Sequence, residues 1–183
     1  PYNFLPASPS NKSIAWNLNL NNANNTNLCR NDGAHGVDVK NNFTVSSGTA
    51  LTTNGSFTNS SFNVDGYITL EIPATLDLTG VDPTAGGWIN NGGTANLGAN
   101  TVILDGNTLN IAGETFDNLT VNKVAGQTVN LTGDVTVLYQ LNLTSGLVLT
   151  GNNNLILGPT ATIVGPPGNT NMVVTDGSGV IRK

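Results

Sequence analysis

Thr128 to Leu157 reads TVNLTGDVTVLYQLNLTSGLVLTGNNNLIL, and its apolar residues fall in pairs: Val129 and Leu131, Val135 and Val137, Leu141 and Leu143, Leu147 and Leu149, Leu155 and Leu157. An alternation of period two puts both members of a pair on one face of an extended chain. Between the pairs stand Thr132-Gly133-Asp134, Thr144-Ser145-Gly146 and Thr150-Gly151-Asn152, residue types that turn the backbone. The first four pairs begin six residues apart, so the segment reads as short strands joined by tight corners.

Across the same region the pair Asn-Leu returns at Asn118, Asn130, Asn142 and Asn154, always twelve residues on. On a six-residue spacing, twelve is two strand-plus-turn units rather than a whole coil. The leucine is expected inward, and the asparagine at a turn or in a ladder of stacked amides.

A looser version of this pattern runs upstream: Val37 and Val39, Phe43 and Val45, Phe62 and Val64, Ile68 to Ile72, Leu76 and Leu78, Val102 and Leu104, Leu109 and Ile111, Leu119 and Val121. Turn signals such as Asp65-Gly66, Asn91-Gly92-Gly93 and Asp105-Gly106 separate them. A sandwich of hairpins uses strands of about five to six residues, longer than these. Three short strands with their turns make a coil of roughly 18 to 25 residues, which buries its apolar face only by stacking on its neighbours. The expected fold is therefore all-β: a parallel β-solenoid, a right-handed β-helix with three short strands per coil. Residues 1–27 read as an N-terminal arm or cap, with Trp16 covering the end of the core. Residues 28–183 read as the repeats, interrupted by an irregular loop at 81–100 around Trp88.

Composition narrows the function classes. Charged residues are 9% of the chain, against about 25% in ordinary domains. The net charge is -5 and the six basic residues are scattered, which argues against nucleic acid as a partner. The apolar runs are too short to span a bilayer as helices, and no membrane insertion is expected. With no basic stretch leading into an apolar run at the start, Pro1 reads as the start of a mature form or of a piece. The single Cys29 cannot form an internal disulfide and reads as a small buried hydrophobe.

The segments FDNLTVNK (116–123), VTVLYQLNLTSGLVLTGNNNLILG (135–158) and MVVTDGSGVIRK (172–183) resemble the strand repeats of secreted cell-surface proteins of Bacteroidetes, the gliding-motility adhesins and other type IX secretion cargo. The likeness is good over residues 101–183 and loose before them. It implies an exported cell-surface rod, with further modules and a sorting domain after it, and carries no catalytic residues.

Few residues in the sequence point to chemistry. His35 and Cys29 lack a third ligand or the spacing of a metal site, and His35 reads as a loop residue. Asp32, Asp65, Asp105 and Asp176 each precede glycine, where turn geometry alone favours aspartate; Asp77 and Glu71 alternate with apolar strand residues. Calcium-binding Gly-Gly-x-Gly-x-Asp repeats are absent, and no metal or cofactor is expected. Sequons such as those at Asn118, Asn130 and Asn142 arise from composition, and no regular Thr-x-Thr array suggests ice binding. The expected function is a non-enzymatic structural or adhesive rod with a polar Asn/Thr surface. Its partners would be other modules or a surface assembly at the open solenoid ends, and surface glycans. The alternative is a carbohydrate-active β-helix enzyme, a polysaccharide lyase or hydrolase built on paired carboxylates, with Asp105 and Asp77 as the residues to test. Trp88, Tyr67 and Tyr139 are the candidate ligand-binding residues, because aromatic rings stack on sugars.

Overall fold

The computed structural model describes residues 13–21, 26–27, 37–46, 49–52, 62–70, 75–78, 83–166 and 168–183. Cys29, Asp32, His35 and Glu71 lie outside these residues, as do most of the expected N-terminal arm and the side chain of Asp77. The described chain is all-β without helix, its parallel strands stacked as a β-solenoid. It forms two compact units: residues 1–84 with 90–100, and residues 85–89 with 101–183.

The strands occurring up to the end of the first unit are β1 Ser13–Ala15, β2 Leu18–Leu20, β3 Thr26–Asn27, β4 Val37–Val39, β5 Phe43–Val45, β6 Ala50–Thr52, β7 Phe62–Leu70, β8 Thr75–Asp77, β9 Pro83–Asn90 and β10 Thr94–Asn96. Three columns of parallel strands result. Ser13 lies beside Val37 and Val37 beside Phe62; Leu18 lies beside Phe43 and Phe43 beside Ile68. The third column runs β3, β6, β8, β10. From Val37 to Phe62, and from Phe43 to Ile68, the step is 25 residues. Alternation sends Val39, Val64, Phe43, Val45, Ile68 and Leu70 inward to complete burial or nearly so, with Phe43 edge-on to Phe62 at 5.1 Å between ring centres.

The second unit continues with β11 Thr101–Gly106, β12 Leu109–Ala112, β13 Thr115–Lys123, β14 Thr128–Leu131, β15 Val135–Ser145, β16 Leu147–Leu149, β17 Leu155–Leu157, β18 Thr162–Val164, β19 Val173–Val174 and β20 Ile181–Arg182. It too has three strand positions per coil. Val102, Leu119, Leu141 and Ile163 stack in one column. Val135, Leu155 and Ile181 stack in a second. Val129, Val148 and Val173 stack in the third. Coil length varies here: Val102 to Leu119 is 17 residues, Leu119 to Leu141 is 22 and Leu155 to Ile181 is 26. The variation is absorbed at corners, where β15 carries extra residues relative to β13.

Two expectations are corrected. Residues 83–90 form strand β9, although 81–100 reads as a loop. Pro83 occupies the first strand position, where a missing N–H is tolerated. The Asn-Gly-Gly signal belongs to the turn that follows, closed by Asn90, whose amide donates to the Gly93 carbonyl (3.1 Å) and whose Oδ1 accepts from Gly92 N–H (2.9 Å). Trp16, expected to cover the core end, instead stands 71% exposed at a corner.

Candidate functional site

The three aromatic residues named from the sequence occupy different surroundings. Trp88 is fully buried beneath Ile111 of the next coil, edge-on to Phe116 at 5.6 Å. Its indole N–H donates to Glu114 Oε2 at 3.2 Å. No ring face is left for a sugar. Tyr139 is 55% exposed at the corner where β15 carries its extra residue. Both belong to the second unit but to different places in the coil, so they are not brought together. Tyr67, in the first unit, is half-buried at the corner within β7.

That corner is built by side chains. Asn42 N–H donates to Asn17 Oδ1 (3.2 Å), and Tyr67 N–H to Asn42 Oδ1 (3.0 Å), each link stepping 25 residues to the next coil. Strand hydrogen bonding lapses where a coil turns, and an asparagine oxygen supplies the acceptor that the backbone there lacks. Beside this ladder Lys40 pairs with Asp38 (2.9 Å) and Asp65 (3.7 Å). The Asp38 partner holds the Lys40 amine above its ordinary value.

In the second unit the same device runs from Asp134 to Asn154 to Val180. Asp134 Oδ1 accepts from Asn154 N–H at 2.7 Å, and Asn154 Oδ1 accepts from Val180 N–H at 3.4 Å. The Asn154 amide also donates to the Asp134 carboxylate and holds its pKa down. Where the expected amide ladder is seen, Asn130 donates to Asn110 at a long 3.4 Å, and Asn110 is not in an Asn-Leu pair.

Lys123 is a feature that sequence reading passes over. It is 2% exposed, and its ammonium donates to the backbone carbonyls of Gly86 and Asp105. Burial pulls its pKa from the ordinary 10.5 to about 8, against the opposing pull of the Asp105 carboxylate. A signal was present: Lys123 is in phase with the inward Leu119 and Val121.

At the coil formed by β18, β19 and β20 an apolar groove of about 510 Å³ opens between Leu143, Ile163, Pro166, Met172, Val173 and Ile181. Its origin follows from register. Ile163 and Ile181 sit directly beside Leu141 and Leu155, which are buried, yet are themselves 47% and 42% exposed. They are core positions on which no further strand is stacked among the described residues. The groove wall is set by Asn171, which is buried and donates to the carbonyls of Leu143 (3.2 Å) and Pro166.

No family model, curated protein or solved structure matches the chain.

Of the two carboxylates named for the enzyme alternative, Asp105 acts on the buried Lys123 ammonium and the side chain of Asp77 lies outside the described residues; other acidic side chains hold structural partners. Asp38 and Asp65 hold Lys40, Asp134 holds Asn154, Asp176 accepts Gly151 N–H at 2.7 Å and Glu114 holds Trp88. Among the described residues no three of His, Cys, Asp or Glu come together as a metal-binding group.

Proposed function

We propose that the chain is a non-enzymatic structural module of a secreted cell-surface protein, a repeat rod whose exposed end coil docks further parallel β-structure. The carrying observation is that Ile163 and Ile181 continue buried core columns and are nevertheless exposed. A surface of that kind is completed by another coil, either of the same polypeptide or of a surface assembly, through strand pairing and apolar burial together. The resemblance of residues 116–123, 135–158 and 172–183 to Bacteroidetes surface repeats supports export and a place in the type IX, gliding-adhesin group of proteins.

The test is to append residues 158–183 again after Lys183, which places the added coil in register with the 26-residue step from Leu155 to Ile181. Amide exchange at β18, β19 and β20 is expected to slow, and the melting temperature to rise. An added coil that leaves those amides unprotected would refute the docking reading. Reproducible cleavage of any member of a panel of acidic and neutral polysaccharides would replace the structural reading with the enzymatic one.

A further inference from the structure

We infer that the Trp16 corner of the first unit is a binding site for neutral polysaccharide. Trp16 is 71% exposed, the most exposed large hydrophobic side chain among the described residues. Along the same corner stand Lys40 and Asn42 in the second coil, and Asp65 and Tyr67 in the third.

Three features select the ligand. Trp16 adjoins Asn17, at the foot of the ladder that leads through Asn42 to Tyr67. Neighbouring parallel strands lie ~4.8 Å apart, so the two aromatic positions are separated by about two coil steps, close to the offset between a pyranose and the second one along an extended β-linked chain. The exposed Trp16 ring offers an apolar face to sugar C–H groups together with a polar edge, and Tyr67 stands half-buried two coils along. Along the same corner, Lys40 and the half-exposed carboxylate of Asp65 supply donors and acceptors for hydroxyl groups.

Charge excludes the nearest competitor. The corner holds one cation and two carboxylates, and the chain as a whole carries -5, so a polyanionic glycan would be repelled. The site deepens the rod reading by naming what the rod presents. It stands on the first unit alone, so its failure leaves the appended-coil result unaffected.

The chain contains two tryptophans, one exposed and one fully buried, which makes acrylamide quenching a direct readout. Cellohexaose, xylohexaose and laminarihexaose are titrated against the intact chain. At least one is expected to shield Trp16 from quenching, with the matching disaccharide, too short to reach both rings, binding at least five-fold more weakly. W16A should weaken binding at least ten-fold while the far-UV circular dichroism and the thermal unfolding of the chain stay unchanged, reporting intact strands in the first unit. W16Y should recover most of the loss. The inference is overturned if no neutral hexasaccharide shields Trp16, if W16A binds as the parent does, or if polygalacturonate is bound in preference to all three.

Discussion

Lys123 sits where the alternation of β13 demands an apolar residue, and its amine is tied to two carbonyls on neighbouring coils. Those carbonyls offset part of the cost of burying a charge, but not all of it, since the pKa still falls from 10.5 to about 8. The sign follows from linkage. Between these two values the unfolded chain binds a proton that the folded chain does not, so stability rises with pH across that window. Below pH 8 both states are protonated and the burial penalty is present in full; above 10.5 both are neutral and it is gone. A pKa unit corresponds to about 1.4 kcal/mol, so the expected gain is roughly 3 kcal/mol. Urea melts at pH 7.5, 9 and 10.5 should show it, and K123M should flatten the profile. Stability that falls over this range in the parent would contradict the burial of a cation here. Close beside it, Gly146 has φ of 95°, and an added Cβ would lie 2.6 Å from Lys123 Cβ. G146A is therefore expected to destabilise by more than the ~1 kcal/mol typical of a point mutation, measured by the same melts.

At the scale of strands and corners, asparagine contributes through hydrogen bonds to backbone groups and carboxylates more than through amide stacks. Asn154 accepts from Val180 N–H and donates to Asp134, whereas Asn130 has one long contact to Asn110 and one to Thr128. N154A should cost about 0.5 to 1.5 kcal/mol, the net worth of hydrogen bonds that face solvent, and N130A, which loses one long contact and one hydroxyl contact, about 0.5 kcal/mol or less. Equal losses in thermal unfolding would count against the corner ladder as the register device. This difference also shows what the sequence could disclose. Period-two alternation revealed the strands, the inward face and the three positions per coil, because side-chain direction in an extended chain is local. The Asn-Leu period of twelve is a different matter: with coils of 17 to 26 residues, a twelve-residue repeat cannot keep its members in one column. Asn118 and Asn142 fall in one column, Asn130 in another and Asn154 at the entry to the third. Trp88 read as a loop residue because glycines surround it, yet its burial depends on Ile111 and Phe116, partners that come later in the chain. Trp16 read as a cap because an apolar ring suggests burial, while its exposure is decided by where the first coil turns.

At the scale of the stacked coils, each is stabilised mainly by its two neighbours, which makes the end coil unlike the rest. Within the second unit β13 and β15 are paired on both sides, while β18, β19 and β20 are paired on one. Amide protection should therefore fall from β13 and β15 to β20, by the difference between near-global and local opening. The column Val135, Leu155, Ile181 turns this into a test of function at matched chemistry. Leu155 is 1% exposed, and L155A should cost about 2 to 5 kcal/mol as a buried truncation. Ile181 occupies the next place in the column but is 42% exposed, so I181K in the chain as it stands should change stability by about 0.5 kcal/mol or less, as surface substitutions do. With residues 158–183 appended, the same position becomes interior, and I181K should then abolish the gain in melting temperature and in amide protection at β18, β19 and β20. If I181K were silent in both contexts, the added coil would not be seated on this column, and the exposure of Ile163 and Ile181 would need another explanation than the docking of a further coil.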